Sequence, residues 1–420
     1  MGFAGNYDDG DILIIINAAE LVTCRGGVKK GRDMDELGII EQGAVFIRGG
    51  VIQEVGSTAD LLDRIQEEGC RVIDAEGKCV LPGFIDAHTQ PIFAGDRVED
   101  FFLRLQGATE MEIQRQGGGL ERTVLATRQA DNDQLKALAR PRLDALLSMG
   151  VTTVAGNSGF GLDLDTELRQ LEVIRELNEA HPLEIVPVFF GVQALPPRYR
   201  GSHDEYIAYV TEEVLPLVAV GEMAEFCAVT CEPGSFSVEA ARTLLLAAKK
   251  YGLRLKIHAD GTGWQGGAEL AAELGAVSAD HLFCATEYGL RRLSETGVPA
   301  VLLPLTAFNR NRLYPRDLIE RGLTVALSTD FGPECNSGSL PLLLALAVLQ
   351  LGFTAAAAVT ALTANAAAAV GRADRIGSLE TGKQADILIL EAPSYRYLTY
   401  RTGISVVETV IKKGQVVWRK

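Results

Sequence analysis

The sequence predicts an α/β protein: a (β/α)8 TIM barrel with a small β-sandwich-like domain formed by both termini. Three observations support this fold class. The 420 residues suffice for a barrel of roughly 250 to 300 residues and a smaller partner domain. The middle of the chain repeats apolar strands and helical segments, and both ends carry short β-rich runs with glycine turns. We expect the small domain to span 1–80 and 378–420 and the barrel to span 81–377.

The small domain is predicted from apolar runs at the two ends of the chain. The first runs are DILIIINA and AVFIRGGVIQEVG, in which Gly49 and Gly50 mark a hairpin turn. The last runs are KQADILILEA and VVETVIKKGQVVWRK, and the final run has the same hairpin character. Because domain termini commonly lie close together, one small sheet built from both ends is the economical interpretation.

The barrel is predicted from repeated pairs of a strand and a helix. Representative pairs are VTTVAG with TELRQLEVIRELNEA, LEIVPVFFG with DEYIAYVTEEVLPLVA, and AEFCAVT with SVEAARTLLLAAKKYG. Such units indicate a parallel sheet covered by helices, and about eight of them favour a closed barrel.

Composition narrows the class of ligand. A net charge of -15 without clusters of Lys and Arg argues against a nucleic acid partner. Seven scattered cysteines without a C-x-x-C pair suggest neither a disulfide framework nor a zinc knuckle, and they favour a reducing cytoplasm. No segment approaches the ~20 apolar residues of a membrane span, and the N-terminal run resembles a strand more than a signal peptide. We expect a cytoplasmic protein that binds a small-molecule substrate and forms a homodimer, the commonest closed assembly.

Polar side chains follow four of the predicted barrel strands. His88 follows GFIDA, His258 follows LRLKI, His281 follows AVSAD, and Asp330 follows TVALST. The carboxyl ends of the strands form the active-site face of this barrel, so the four side chains should point into one mouth. Converging imidazoles and a carboxylate are suitable ligands for zinc or iron. A single strand-end histidine is as often a hydrogen-bonded structural residue, but four polar residues at matching ends favour a site.

Nearly the whole chain resembles the imidazolonepropionases of the metal-dependent amidohydrolase superfamily. These enzymes open the imidazolone ring in histidine degradation. The resemblance is carried, in order along the chain, by LPGFIDAHTQPIFAGDR, LRLQGATEMEIQRQGGGLERTVLATR, SGFGLDLDTELRQLEVIRELNEAHP, KIHADGTG, GAVSADHL, LLPLTAF, STDFGPE and IGSLETGKQADILIL.

The resemblance implies roles for several residues. It implies that His88, His258 and Asp330 ligate one divalent metal ion, zinc or iron, with Asp330, His281 and His258 taking part in catalysis. It assigns to Arg97 the guanidinium that pairs with a carboxylate on the substrate. Physically, such a metal lowers the pKa of a bound water and polarises a carbonyl, while a carboxylate moves protons.

Five positions depart from the family pattern. Gln90 stands where the family has the second His of a His-x-His pair, and an amide oxygen is a weaker ligand for such metals, so its part in the metal site is open. The other departures are Gly261 for the auxiliary acid/base Glu, Phe160 for a Tyr, Gln193 for a His and Gly332 for an Asn. Since the surrounding sequence keeps the family pattern, these changes suggest a remodelled pocket. We expect Arg97, Phe160, Gln193 and Gly261 to line the substrate.

Three functions remain to be distinguished. The first is hydrolysis of a C–N bond in a small cyclic amide that bears a carboxylate side chain. The second is metal-independent hydrolysis of an activated ring, hydantoin-like, thio-substituted or a lactam, with Asp330 as base and His258 or His281 steadying the oxyanion. The third is a catalytically inactive ligand-binding homologue. Deamination is disfavoured because Gly261 replaces the acid that it normally needs.

Several further residues have a structural interpretation. The run of three glycines at 117–119 lacks the context of a phosphate loop, which favours a tight or substrate-enclosing loop. Cys284 and Cys335 are expected to be small apolar residues rather than nucleophiles or ligands. Asp260 should point away from the barrel axis if its strand continues. His181 and His203 lie in polar loops and are assigned to the surface.

Overall fold

The computed structural model describes residues 12–65 and 69–420. In chain order its strands are β1 (Ile12–Val22), β2 (Ile39–Arg48), β3 (Val51–Ser57), β4 (Arg71–Asp74), β5 (Val80–Pro82), β6 (Phe84–Thr89), β7 (Val151–Asn157), β8 (Glu184–Val192), β9 (Phe226–Cys231), β10 (Arg254–Ala259), β11 (Ser278–His281), β12 (Ala300–Leu302), β13 (Val325–Leu327), β14 (Ile387–Leu390), β15 (Val407–Lys412) and β16 (Gln415–Arg419).

The α-helices are α1 (Thr58–Arg64), α2 (Val98–Leu105), α3 (Glu110–Arg115), α4 (Gly119–Gln129), α5 (Asn132–Ser148), α6 (Leu164–Ala180), α7 (His203–Tyr209), α8 (Leu215–Val220), α9 (Val238–Lys250), α10 (Gly267–Leu274), α11 (Glu287–Thr296), α12 (Pro304–Asn309), α13 (Leu340–Leu349), α14 (Ala355–Leu362), α15 (Ala364–Ala369) and α16 (Tyr397–Tyr400). A π-helical turn, Val210–Val214, joins α7 to α8, and short 3-10 helices lie at Gly31–Asp35 and Pro197–Tyr199. Within the described ranges, no helix combines the length and the apolar character needed to cross a membrane.

Both ends of the chain form one eight-stranded sheet, as the sequence predicts. Its order is β16-β15-β14-β5-β1-β2-β3, and β4 pairs with β1. Gly49 and Gly50, with φ of 57° and 76°, form the turn between β2 and β3, a conformation that suits glycine. Alternate apolar residues from both ends of the chain share its core, among them Ile15, Val45, Ile387 and Ile411. The sheet extends through β5 to Pro82, so the first barrel strand begins at Phe84.

The other eight strands, β6 to β13, run parallel in sequence order around a barrel. Hydrogen bonds outside the regular strand ladder connect the last strand to the first. The His88 N–H donates to Ser328 Oγ at 2.8 Å, and the Gln90 N–H donates to the Phe331 carbonyl at 2.7 Å. The fold is therefore the nearly closed (β/α)8 barrel that the repeated strand and helix units indicate.

The barrel interior changes from apolar to polar along its axis. A cluster that includes Ile85, Val186, Ala228 and Val301 fills the lower part, and Ala366 on α15 packs with it. Near the carboxyl ends of β10 and β11, polar residues replace these apolar side chains on the inner face. This change brings polar groups together at the end where the sequence predicts the active site.

Candidate active site

Three histidine rings meet at the carboxyl ends of β6, β10 and β11. The ring centroids of His88 and His258 are 4.2 Å apart, those of His258 and His281 are 4.7 Å apart, and those of His88 and His281 are 5.4 Å apart. One nitrogen from each ring lies within 4.8 Å of the other two. The structure thus brings together the three histidines that the sequence places at strand ends.

Asp280 orients the first ring. Nδ1 of His88 lies 2.7 Å from Oδ2 of Asp280, and both side chains are buried. Because a carboxylate accepts the Nδ1 proton, Nε2 of the neutral ring carries the free lone pair. Lys256, also buried, donates to Ser278 Oγ at 2.6 Å and lies 3.8 Å from Asp280. Burial raises the pKa of Asp280, but Lys256, His88 and the Ser278 hydroxyl together lower it below its usual value.

Asp330 lies beside His88, shortly after β13, the strand that closes the barrel against β6. Its Oδ1 lies 3.7 Å from His88 Nε2, and its Oδ2 accepts a hydrogen bond from Thr306 Oγ1 at 2.5 Å. Burial raises the pKa of Asp330 to about 6. Both Asp330 and His281 have positive φ, 56° and 76°, which is uncommon for residues with side chains and typical of functional sites. Burial lowers the pKa of His281 to about 3, so its ring is neutral at pH 7.

The cluster fits a divalent metal ion. Nε2 of His88 and Nε2 of His258 are buried and have no hydrogen-bond partner among the described residues. Buried polar nitrogens without a partner are costly, and a cation that accepts their lone pairs would remove that cost. Neutral rings are required for such ligation, and burial together with the neighbouring histidines lowers the pKa of His258 well below its usual value.

Gln90 and Gln193 pair with each other. Nε2 of Gln90 donates to the Gln193 Oε1 and to the Ser158 carbonyl, both at 2.9 Å. Gln90, which replaces the second His of the family's metal-binding pair, is therefore hydrogen-bonded to Gln193, which replaces another His of the family pattern. Gly332 stands beside this pair, since a Cβ at that position would lie 3.7 Å from Gln90 Cβ.

Phe160 is an interior residue in this structure. Its side chain is 1% exposed and packs edge-to-face on Phe93 with ring centroids 6.0 Å apart. Its backbone N–H donates to Gln170 Oε1 at 3.1 Å. The structure thus gives Phe160 a packing role beside the expected one in substrate binding.

Arginines line the rim beyond Asp330. Arg97, whose side chain is 10% exposed, donates from Nε to Thr123 Oγ1 at 2.9 Å. Its Nη1 lies 3.8 Å from Oε2 of Glu334, and Arg310 donates to the same carboxylate at 2.9 Å from Nε. Burial raises the pKa of Glu334, but Arg310 and Arg97 lower it below its usual value. The guanidinium expected to bind a substrate carboxylate thus already faces a carboxylate of the chain.

Gly261 lies in the loop that follows β10. Its carbonyl accepts a hydrogen bond from Arg312 Nη1 at 2.5 Å, so the rim arginines also hold this loop. Asp260 follows the end of β10 with a φ of 53°, so its side chain direction is set by this turn and not by strand alternation. It accepts four backbone N–H bonds at the start of α10, from Gln265, Gly266, Gly267 and Ala268.

One prediction about the remaining histidines is wrong. His181 is not a surface residue: it is 7% exposed at the end of α6, and its Nδ1 accepts from the Leu183 N–H at 3.1 Å while Nε2 lies 3.1 Å from Asp144. The ring accepts a backbone hydrogen bond where the helix ends. The polar sequence around His181 does not indicate this contact. His203 begins α7 and is half-buried, with its ring 5.8 Å from that of Phe236.

The glycine run and the cysteines have structural roles. Oδ2 of the buried Asp100 accepts the Gly119 N–H at 2.7 Å, and a Cβ at Gly118 would lie 2.4 Å from Oδ1 of the same carboxylate. The run is therefore a tight loop whose amide donor is bound by a carboxylate, not by a phosphate. Burial raises the pKa of Cys335 to about 12, which removes its thiolate at neutral pH.

Sequence reasoning missed several residues of the site. Lys256 could have been found, because it lies two positions before the inward-facing His258. Asp280 directly precedes His281, so strand alternation counted from that histidine does not indicate it. Glu334, Arg310 and Thr306 lie in or next to loops whose conformation depends on packing, and the sequence carries no comparable signal for them.

The Amidohydrolase family model matches residues 79–417. Solved structures agree on the fold. The chain superposes with a TM-score of 0.71 on an adenosine deaminase from Xanthomonas campestris with bound zinc, at 20% identity and covering 96% of this chain and 92% of that one. It superposes with a TM-score of 0.72 on the Escherichia coli guanine deaminase, at 17% identity and covering 97% and 99%.

Sequence relatives define the branch. The chain is 46% identical over 412 residues to an imidazolonepropionase of Clostridium tetani, covering 97% of this chain and 98% of the relative. It is 49% identical over 408 residues to an imidazolonepropionase of Parabacteroides distasonis, covering 96% and 98%. The chain belongs to the amidohydrolase family and, within it, to the imidazolonepropionases. It is a hydrolase that acts on a C–N bond of a cyclic amide.

Proposed function

We propose that the protein opens the ring of imidazolonepropionate, or of a closely related cyclic amide with a carboxylate side chain, by hydrolysis. The observation that carries this proposal is the convergence of three imidazoles and Asp330 beside a rim of arginines. Relatives that bear the name imidazolonepropionase support the choice of ring.

A zinc or iron ion is part of the proposal. His88, His258 and Asp330 would hold it, with His281 close enough to serve as a further ligand. When bound, such an ion lowers the pKa of water and polarises a carbonyl oxygen. Gln90 contributes through its bond to Gln193, which fixes the wall next to His88.

Side chains of the protein position the attacking water and the ring carbonyl for the reaction. Asp330, with a pKa of about 6, is mainly a carboxylate at pH 7 and can accept a hydrogen bond that orients an attacking water. Thr306 holds one oxygen of Asp330, which leaves the other directed towards His88. The neutral His281 ring can donate a hydrogen bond to the oxygen of the ring carbonyl as negative charge develops there.

Arg97 and Arg310 supply the site for the substrate's carboxylate. Both guanidiniums engage the Glu334 carboxylate, and Thr123 Oγ1 accepts a further hydrogen bond from Arg97. A planar guanidinium is well suited to a carboxylate because it can donate two parallel hydrogen bonds.

A metal-independent hydrolase of an activated ring is the second candidate. The observation in its favour is that the Gln90 amide nitrogen is committed to Ser158 and Gln193, so the family's fourth ligand has no direct counterpart. The close relatives nevertheless favour the first candidate.

Turnover can be followed directly. Purified protein is mixed with imidazolonepropionate, and separately with its thiohydantoin analogue, and the absorbance of each ring is recorded. We expect the imidazolone absorbance to fall, and Asp330→Asn to abolish the fall. Loss of the thiohydantoin alone, unaffected by chelator, would replace the first candidate with the second. Metal analysis of protein purified without chelator, with about one equivalent of zinc or iron expected, tests the metal site independently.

A further inference from the structure

Glu232 lies at the mouth of the barrel, directly after β9. Its Oε2 accepts a hydrogen bond from the Thr262 N–H at 2.9 Å, in the loop that follows the neighbouring strand β10. The residue is half-buried. This carboxylate takes no part in the chemistry described so far.

Glu232 fills the place of a side chain at 261. A Cβ built on Gly261 would lie 2.6 Å from Glu232 Oε2, closer than real Cβ contacts allow. The same point lies 3.5 Å from Cβ and 3.6 Å from Cγ of His281. The carboxylate and the imidazole therefore flank one position, and any group placed there contacts both.

The backbone does not explain the glycine. Its φ lies outside the positive range that favours glycine, so other residues could adopt the conformation of Gly261. A Cβ at position 261 would only require the flexible end of the Glu232 side chain to move. Glu232 therefore places a carboxylate in the space that a side chain at position 261 would enter.

The surroundings suit proton transfer. Burial raises the pKa of Glu232, while hydrogen bonds from Thr262 and the charge of Arg310 oppose that rise. Arg312, which holds the Gly261 carbonyl, and His281 also lie at this side of the mouth. A carboxylic acid whose pKa lies nearer to neutral pH is a better acid and base for catalysis.

We propose that Glu232 is the general acid–base residue of this enzyme and replaces the carboxylate that position 261 lacks. The inference rests on the proposed ring hydrolysis. Glu232 accepts a proton from the attacking water as the C–O bond forms at the ring carbonyl. It then donates that proton to the ring nitrogen as the C–N bond breaks, which yields the open-chain acid and returns Glu232 to its carboxylate form.

The test exchanges the carboxylate between the two positions. Wild type, Glu232→Gln, Glu232→Ala and the double variant Glu232→Ala/Gly261→Glu are assayed on imidazolonepropionate for kcat, KM and pH dependence. Glu232→Gln keeps an oxygen that can accept from Thr262 and should lower kcat by about 100- to 10,000-fold with little change in KM. It should also remove one limb of the pH profile. Glu239→Gln, an exposed substitution on α9, is the matched control and should behave as wild type.

The double variant separates catalysis from loop support. It restores a carboxylate beside His281 without restoring the bond from Glu232 to Thr262, so recovery of at least tenfold over Glu232→Ala supports acid–base catalysis. A folded Glu232→Gln protein with wild-type kcat and pH profile would overturn this inference and leave the ring hydrolysis standing. A wild-type protein without activity on any ring tested would overturn both.

Discussion

Oδ2 of Asp280 lies 2.7 Å from Nδ1 of His88, deep within the barrel and with Lys256 behind it. This relationship sets the chemistry of the site. It fixes the tautomer of His88 and directs the Nε2 lone pair towards Asp330. The charges of Asp280 and Lys256 are both buried away from water, so each needs the other as its counter-charge.

Asp280→Asn should therefore damage both stability and metal binding. The buried ammonium of Lys256 would lose its counter-charge, at a cost of about 3–5 kcal/mol in the free energy of unfolding. Metal affinity should fall roughly 10- to 100-fold. Denaturant unfolding and chelator competition measure the two effects. Lys256→Met added to Asp280→Asn should recover stability but not metal affinity; if Asp280→Asn alone matches wild type in both, the assigned role of the pair is wrong.

Gln90→His should strengthen metal binding. The imidazole would return a nitrogen ligand beside His88, and we expect affinity to rise about tenfold, or about 1.4 kcal/mol. Competition with a metal chelator reports the change. Gln193→His is the control, because it breaks the same hydrogen bond to Gln90 without adding a ligand at position 90. Equal affinity in Gln90→His and wild type would show that the three histidines and Asp330 already suffice.

The barrel and the strand-end residues could be predicted because both follow from periodicity. Strand and helix alternation fixes the fold, and the geometry of a parallel barrel brings the ends of all strands to one face. His88, His258, His281 and Asp330 follow from these rules alone. The small sheet is predicted as readily, since its apolar residues alternate at both ends of the chain.

The remaining site residues depend on contacts that periodicity does not encode. Glu334 meets Arg310 and Arg97 only because the loops after β12, β13 and β6 converge. His181 was expected at the surface, but the end of α6 buries it, and its ring accepts the Leu183 N–H. In both cases the conformation of a loop, set by packing, decides which polar groups meet.

Glu184 connects the barrel to the small domain at the face opposite the active site. It lies 3.1 Å from Arg375, 3.2 Å from Arg372 and 3.5 Å from Lys412. Burial opposes ionisation, but these three cations lower the pKa of Glu184 from 4.5 to about 2. A carboxyl group whose pKa is lower in the folded state stabilises the fold at pH values above its pKa in the unfolded state. This stabilisation is lost as the pH falls through the pKa of the folded state.

Glu184→Gln should consequently lower the free energy of unfolding at pH 7 by about 3 kcal/mol without reducing kcat. The difference from wild type should shrink between pH 4.5 and pH 2, because the native carboxylate becomes protonated there. Urea unfolding across this range is the measurement. Glu179→Gln, which removes an exposed pair with Arg175, should have little effect at any pH. A constant difference across the range would contradict the linkage.

Glu334→Gln should strengthen binding of carboxylated rings. In the native chain the Glu334 carboxylate engages Arg310 and Arg97, so an anionic substrate must compete with it for the same donors. Removing that charge should lower KM for imidazolonepropionate roughly fivefold, or about 1 kcal/mol. Inhibition by glutarate should strengthen in parallel, whereas an uncharged ring should show no gain. A higher KM for the carboxylated ring would instead mean that Glu334 holds the arginines in their binding positions.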